Sequence, residues 1–375
     1  MIRVHKMNYI FLRRYQGMIL FGILCFYLGC GISLTFVRVD CATNSVALVK
    51  NSHSTFNKTE YAVLVLSSPK NEMLRDAVRT TWASLINNVH VENGEILYRW
   101  NYTLAGKKFK QGVVKIYFAI GTQNLDKQTL EKLYAEDSRT NDLLLLDNFE
   151  DGYNKLATKL MLSLKWFHKN LKELKYVIKC DDDSFVRVDL VVADLEAYAP
   201  EMDGQAINHF ISRKESLPKY KGLYWGYFNG RAPVYKRGKW EEKAWFLCNT
   251  YLPYALGGGY VISRSIVDYV VRNSDFLSKY NSEDVSMGVW TAALDGINRV
   301  HDTRFDTEWI SRGCDNTMLV RHKQEHSDMV QMYSNLVISR GKKLCTTDYI
   351  IRKSYNYNWN ALPNSCCIKT NEDLR

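Results

Sequence analysis

Three consecutive carboxylates, Asp181, Asp182 and Asp183, are the residues of this 375-residue chain best suited to chemistry. They directly follow the apolar run 176–180, which predicts a buried strand. Alternate side chains at a strand end point the same way, so Asp181 and Asp183 can converge while Asp182 points elsewhere. Like charges this close repel unless a cation offsets them, and Mg²⁺ or Mn²⁺ takes such oxygen ligands. The pattern predicts a divalent metal site; the alternative is a solvated acidic turn before a helix.

A second acidic pair, Glu283-Asp284, opens a segment with helical character at 282–288. A group-transfer enzyme needs a general base beside the attacking hydroxyl, and a carboxylate can serve. From spacing alone, an N-cap at Ser282 followed by first-turn acids that favour the helix dipole is the commoner explanation.

Three consecutive glycines, Gly257, Gly258 and Gly259, lie between Tyr254 and Tyr260. They permit unusual dihedral angles and a close approach of the backbone to a ligand, and the flanking rings can stack on sugars. A flexible loop or a bulge is the alternative.

Arg75 and Arg79 share one face of a predicted helix and can hold a diphosphate, unless they form an ordinary solvated basic face. Among the histidines, His301 and His322 are candidates for a third metal ligand, although a lone histidine is more often structural.

Strands and helices alternate in the pattern that positions these residues. Apolar runs predict strands at 61–67, 113–120, 143–146 and 176–180, and helical spacing predicts helices at 71–84, 127–134, 154–171 and 188–199. This alternation predicts an α/β domain with a mostly parallel sheet, whose ligands sit beyond the carboxyl ends of the strands. The chain has no GxGxxG fingerprint after its first strand and no P-loop, and its second half suggests loops over a mixed sheet.

The segment 15–37 carries no charge and is long enough to cross a bilayer as a helix. Basic residues precede it, so we expect 1–14 to be a cytosolic tail and the remainder to be luminal. A cleaved signal peptide is the alternative. The polar segment 38–59 is then a stem, 60–367 the folded domain and 368–375 a terminal tail. The net charge is +10, but the sequence contains no motif typical of nucleic-acid binding.

Luminal placement agrees with the glycosylation sequons at Asn57 and Asn101. Seven cysteines follow the predicted anchor, so at least one is expected to be free or to pair with another chain.

Five motifs in one order, at 74–82, 151–159, 179–189, 254–263 and 282–288, resemble the beta-1,3-galactosyltransferases of glycosyltransferase family 31. The resemblance covers 60–367. The segments 224–234, 247–263, 301–309, 311–314 and 354–367 resemble in particular those members that act on galactosyl-xylosyl proteins.

The resemblance implies a GT-A fold, UDP-galactose as donor and Mn²⁺ or Mg²⁺ as cofactor. It also implies a single-pass type II protein of the Golgi membrane whose acceptor is a proteoglycan core protein carrying Gal-Xyl. The product would be the glycosaminoglycan linker that precedes heparan and chondroitin sulfate. The alternatives are another enzyme of the family, such as a beta-1,3-N-acetylglucosaminyltransferase, and a catalytically inactive luminal lectin or chaperone.

The resemblance assigns roles to individual residues. It implies Asp284 as the catalytic base, and the expected metal ligands are Asp181, Asp183 and His322. Expected donor contacts are Arg75, Arg79, Asp151, Lys159 and Asp182. Expected acceptor contacts are Trp225, Tyr254, Gly258, Gly259 and Glu283. The tryptophans Trp225, Trp240 and Trp245 are expected either at the acceptor pocket or in the core.

Overall fold

The computed structural model describes residues 58–92, 95–98, 113–200, 222–362 and 365–367. All of them fall within one unit, Val49–Arg375. The predicted tail, anchor and most of the stem, the sequon residues Asn57 and Asn101, and residues 368–375 lie outside the described residues. Within the described ranges, no helix combines the length and apolar character that crossing a membrane requires.

Strands and helices alternate through the first half of the chain, as the apolar pattern predicts. The strands are β1 Tyr61–Leu66, β2 Val89–Glu92, β3 Glu95–Tyr98, β4 Val114–Gly121, β5 Leu143–Leu146, β6 Tyr176–Asp181, β7 Phe185–Val186, β8 Gly222–Asn229, β9 Tyr254–Ser263, β10 Ile297–His301, β11 Phe305–Asp306, β12 Gly313–Cys314, β13 Val320–Arg321 and β14 Tyr349–Ile350. The α-helices are α1 Glu72–Thr80, α2 Lys127–Thr140, α3 Leu156–Asn170, α4 Val188–Pro200, α5 Arg264–Arg272, α6 Glu283–Ala292 and α7 His326–Ser339. Two 3-10 helices span Trp82–Asn88 and Tyr153–Lys155.

Seven strands form the central sheet in the order β10-β8-β9-β6-β1-β4-β5. Strands β6, β1, β4 and β5 are parallel neighbours, whereas β9 runs antiparallel to both β6 and β8. The predicted parallel sheet and the mixed second half are therefore both confirmed. The carboxyl ends of β1, β4 and β6 meet at one edge, where the sequence places Asp181 and its neighbours.

Strand β1 shows why the sheet is buried on both faces. All six of its residues are buried, and successive side chains enter different hydrophobic clusters. Tyr61, Val63 and Val65 belong to one cluster, and Ala62 and Leu64 to the other. Burial on both faces favours a continuous apolar run over an alternating one.

A small three-stranded sheet places the C-terminal half beside the aspartates. Strand β13 pairs antiparallel with β7, matching Arg321 with Phe185, and parallel with β11. Strand β7 begins two residues after Asp183, so this pairing brings the residue that follows β13, His322, to the end of β6.

Four of the cysteines form disulfides, Cys314–Cys345 and Cys366–Cys367. Cys180 is free and buried, and Cys248 is free and exposed. Cys41 lies outside the described residues.

Candidate active site

Two of the three aspartates converge with a histidine beyond the end of β6. The His322 Nε2 atom lies 3.1 Å from Asp183 Oδ1 and 3.4 Å from Asp181 Oδ2. One ligand atom from each of the three residues lies within 4.8 Å of the others. Two carboxylates and an imidazole at this spacing are a suitable ligand set for a divalent cation.

The electrostatics of this cluster also fit a cation. Burial opposes protonation of His322, but the carboxylates of Asp181 and Asp183 outweigh it and raise its pKa to about 9. Burial likewise opposes ionisation of Asp181, yet Lys179 and His322 hold its pKa below the ordinary value. Both ring nitrogens of His322 are buried without an aligned hydrogen bond to any described residue. A metal ion would satisfy one of them.

Asp182 points away from this cluster, as strand alternation predicts. Its Oδ2 accepts hydrogen bonds from Ser67 Oγ at 2.7 Å and from Asn71 Nδ2 at 2.8 Å. Burial raises the pKa of Asp182, although these two donors act against the shift. Its predicted contact with the donor sugar stays a prediction.

Lys179 connects the metal-type cluster to the acidic pair on α6. Its ammonium group is fully buried and lies 2.9 Å from Asp181 Oδ1 and 2.5 Å from Glu283 Oε1. It also donates to the carbonyl oxygen of Gly257. The sequence pattern gave Lys179 no role, because a lysine inside an apolar strand carries no sign of its partners.

Asp284 lies in the first turn of α6 with both oxygens accepting backbone hydrogen bonds. Gly257 N–H donates to Oδ2 at 2.9 Å and Val285 N–H to Oδ1 at 2.7 Å. Burial and the neighbouring Glu283 carboxylate raise the pKa of Asp284 to about 7, although Lys179 and the two N–H groups oppose the shift. A carboxylate that titrates near neutral pH is suited to general-base chemistry. Ser282 precedes the helix without a side-chain capping bond.

The three glycines lie in β9 rather than in a loop, and none has a positive φ. The glycines therefore do not use the left-handed conformation, but the register of β9 against β8 shifts between Ala255 and Tyr260, so the alternative of a bulge is borne out. The expected close approach is present, but to the site's own side chains. A Cβ on Gly257 would lie 2.7 Å from Glu283 Oε1, and one on Gly258 would lie 2.6 Å from the His322 ring. A Cβ on Gly259 would meet Val320.

A cavity of about 420 Å³ joins the metal-type cluster to the acidic pair. Asp181, His322, Glu283 and Asp284 all line it. The predicted residues Tyr254 and Gly258 also line it, as do Tyr153, Tyr235, Lys239, Trp240, Trp309 and Lys323. Lys323, which the sequence pattern did not single out, lies 3.0 Å from Asp183 Oδ2.

Trp225 occupies the core position that the sequence allowed as the alternative. It is fully buried, and its Nε1 donates to Asp302 at 3.0 Å. Trp245 is also buried and donates to the carbonyl oxygen of Cys248, whereas Trp240 lines the cavity.

Arg75 and Arg79 are both held by carboxylates. Arg75 is fully buried and makes two hydrogen bonds to Glu136, at 2.6 and 2.7 Å. Arg79 pairs with Glu136 at 2.7 Å and Asp142 at 2.8 Å. Arg75 also donates to Ser67 Oγ at 3.1 Å, and Ser67 in turn donates to Asp182. Arg75 is therefore linked through Ser67 to Asp182 and not to the metal-type cluster.

Asp151 and Lys159 form a buried pair at the other predicted donor position. The Lys159 ammonium lies 2.7 Å from Asp151 Oδ1 and also donates to the carbonyl oxygen of Ser67. Gly121 N–H, at the end of β4, donates to Asp151 Oδ2 at 3.0 Å. The pair thus joins the ends of β1 and β4 beside the predicted donor site.

A mixed α/β sheet with an acidic cluster at a strand end and a second pair of carboxylates in the same cavity is the arrangement of a glycosyltransferase domain consistent with the GT-A type. The chain belongs to the Galactosyltransferase family, which matches residues 73–303. It is 36% identical to mouse Beta-1,3-galactosyltransferase 6 over 338 residues, which are 90% of this chain and 91% of the mouse protein.

More distant relatives share a smaller part of their length. The chain is 30% identical over 203 residues to UDP-GalNAc:beta-1,3-N-acetylgalactosaminyltransferase 2 of Xenopus laevis, which covers 54% of this chain and 37% of that protein. It is 26% identical over 285 residues to Hydroxyproline O-galactosyltransferase GALT2 of Arabidopsis thaliana, covering 75% and 35%. These names span different sugars and acceptors, so family membership leaves the substrates to be determined.

Proposed function

We propose that this protein transfers galactose from UDP-galactose to O3 of the galactose in Gal-β-1,4-Xyl on a proteoglycan core protein, with inversion at the anomeric carbon. This is the activity of galactosylxylosylprotein 3-beta-galactosyltransferase, galactosyltransferase II. The observation that carries the proposal is that Asp284 and the cluster of Asp181, Asp183 and His322 meet at one cavity. The segments that resemble enzymes acting on galactosyl-xylosyl proteins support the acceptor.

The positions of the residues suggest a single displacement. Asp284 takes the proton from O3 of the acceptor, and that oxygen attacks the anomeric carbon as UDP leaves. One such step converts an α-linked donor into a β-linked product. The two backbone N–H groups on Asp284 fix its orientation. Its raised pKa makes it a stronger base than an ordinary aspartate.

Asp181, Asp183 and His322 would hold the divalent metal, Mn²⁺ or Mg²⁺. When bound, such an ion offsets negative charge on the departing diphosphate. Lys323, at 3.0 Å from Asp183, adds a positive charge on the same side of the cavity. Asp182, Arg75, Arg79, Asp151 and Lys159 would organise the donor side. The uncharged segment 15–37 supports a further proposal, a type II protein of the Golgi membrane.

A transfer assay with the purified full-length chain tests the function. UDP-galactose, UDP-GalNAc and UDP-GlcNAc would each be offered with Mn²⁺ and Gal-β-1,4-Xyl, lactose or a β-N-acetylglucosaminide as acceptor. We expect galactose transfer to Gal-β-1,4-Xyl with a new β-1,3 linkage, which NMR of the product identifies. Transfer of galactose to the other acceptors but not to Gal-β-1,4-Xyl would refute the acceptor. Preferred transfer of another sugar would refute the donor, and sugar binding without any transfer would support a lectin.

A further inference from the structure

Four aromatic side chains, Tyr153, Tyr235, Trp240 and Trp309, line one part of the catalytic cavity; we call them the aromatic wall. Trp309 is 60% exposed, Tyr153 44% and Tyr235 42%. Burial of an aromatic side chain contributes a large favourable free energy. Several exposed rings in one concave site are therefore unfavourable unless a partner covers them. The wall therefore has the character of a binding surface.

The rings of the wall hold one another in place. The Trp240 ring packs edge-on against Trp309 at 5.0 Å and lies 5.6 Å from Tyr235. Its Nε1 donates to the Tyr153 hydroxyl at 2.6 Å. Trp309 is left with an open side, because it is the most exposed of the three rings given above. A preorganised aromatic face loses little conformational entropy when a ligand binds.

Two lysines add hydrogen-bond donors to the edges of the aromatic wall. The Lys239 ammonium lies 4.1 Å from the centre of the Tyr153 ring, and that of Lys323 lies 5.3 Å from the centre of the Trp309 ring. Lys323 also lies 3.0 Å from Asp183 Oδ2, so the aromatic wall adjoins the metal-type cluster. Aromatic faces with hydrogen-bond donors at their edges suit a ring that has both an apolar face and hydroxyl groups, as a pyranose has.

The position of the wall favours the acceptor over the nucleotide. Tyr235 and Trp240 lie in the segment between β8 and β9, and Trp309 follows β11. The parallel strands β6, β1, β4 and β5 lie on the other side of β9. The crevice at the carboxyl ends of parallel strands is where a nucleotide is expected. Only Tyr153 comes from that half.

We propose that the aromatic wall is a second sugar subsite, which binds the pyranose ring on the reducing side of the galactose that accepts the new residue. The enzyme would thereby prefer a disaccharide acceptor over a single β-galactoside. This inference rests on the proposed function for the reaction, but it assigns a separate contact to Trp309 and Trp240.

Kinetics with two acceptors test this subsite. Wild type, Trp309→Ala and Trp309→Phe would be assayed with Gal-β-1,4-Xyl-O-methyl and with methyl β-galactoside. We expect Trp309→Ala to reduce the ratio of the two kcat/KM values, disaccharide over monosaccharide, by about tenfold, and Trp309→Phe to recover part of it. The matched control is Phe276→Ala, because Phe276 is 88% exposed and does not line the cavity. That control should keep the wild-type ratio.

Three results would overturn the subsite: an unchanged ratio in Trp309→Ala, an equal loss for both acceptors, or a rise in the KM of UDP-galactose as the main effect. The last result would place the nucleotide on the wall.

Saturation-transfer NMR keeps the test independent of turnover. If wild type transfers nothing to either acceptor, the proposed function fails, yet the subsite still predicts saturation of the xylose ring that Trp309→Ala abolishes. Absence of that saturation in wild type would refute the subsite itself.

Discussion

The ammonium group of Lys179 lies 2.5 Å from the carboxylate of Glu283, and both side chains are buried. A second contact of 2.9 Å joins Lys179 to Asp181. Glu283 is the residue before Asp284, so one lysine fixes the end of β6 relative to the start of α6. The distance between the metal-type cluster and the proposed base therefore depends on a buried ion pair.

Replacing Lys179 with methionine should destabilise the protein by about 3–5 kcal/mol, because it leaves the buried Glu283 carboxylate without a counter-charge. A thermal melt of the full-length protein measures the loss. Lys243→Met is the matched control, since Lys243 is 83% exposed and should melt as wild type does. Adding Glu283→Gln to Lys179→Met should recover part of the stability. A melting temperature unchanged in Lys179→Met would contradict the ion-pair argument.

Asp284→Asn should reduce kcat by about 10²–10⁴-fold, because the amide keeps the shape of the side chain but cannot accept the proton. Binding of UDP-galactose, measured by calorimetry, should stay near the wild-type value. Asp295→Asn is the control, because Asp295 is an exposed residue just beyond the end of α6. Transfer that survives in Asp284→Asn would remove Asp284 as the base.

The value of kcat/KM, which reports groups of the free enzyme, should rise with pH and reach half of its plateau near pH 7. The sign follows from the base: Asp284 must be deprotonated, and its pKa is raised to about 7, so the active form is lost as pH falls below that value. Glu283→Gln removes a negative neighbour that raises this pKa, so the rising limb should move to lower pH. A limb near the ordinary aspartate pKa of about 4 in wild type would contradict the assignment.

The first half of the fold could be predicted because its strands are buried on both faces. Burial on two sides requires an unbroken apolar run, so β1 and β5 are visible in sequence. Helix α2 continues to Thr140, six residues beyond the predicted end, and Asn141 closes it in the left-handed conformation. The prediction stopped too early because the last turns of this helix are polar. Nothing in an apolar pattern marks such an end.

Only part of the site could be predicted from the sequence, because its residues come from distant segments. The division of Asp181 and Asp183 from Asp182 followed from strand alternation. The meeting of His322 with them depends on the pairing of β13 with β7, two-residue strands that leave no periodic signal. Likewise, the partners of Arg75 are carboxylates on another helix, which spacing along one helix does not reveal.

Binding of Mn²⁺ should release about one proton from His322 at neutral pH. In the metal-free protein the carboxylates of Asp181 and Asp183 raise the pKa of His322 to about 9, so the ring is protonated below that pH and must lose its proton to bind the ion. Affinity should therefore rise with pH until about pH 9 and then level off. Calorimetry in buffers of different ionisation enthalpy counts the protons.

Two variants complete the metal test. His322→Ala should lower Mn²⁺ affinity by at least about tenfold and remove the proton release. His326→Ala should change neither quantity, because His326 is exposed at the start of α7. Proton release that persists in His322→Ala would mean that another group is the ligand.

Gly258→Ala should weaken metal binding without a direct change to any ligand. The added Cβ would lie 2.6 Å from the His322 ring, so the imidazole must leave its present position beside Asp181 and Asp183. We expect Mn²⁺ affinity to fall by about 10–100-fold, as when the support of a metal ligand is lost. Gly238→Ala provides the comparison: its Cβ would meet no neighbour, but its φ of +85° makes alanine strained. That variant should lose about 1 kcal/mol of stability while keeping the wild-type Mn²⁺ affinity. If Gly258→Ala binds Mn²⁺ as wild type does, His322 is not held in place by the bare backbone of β9.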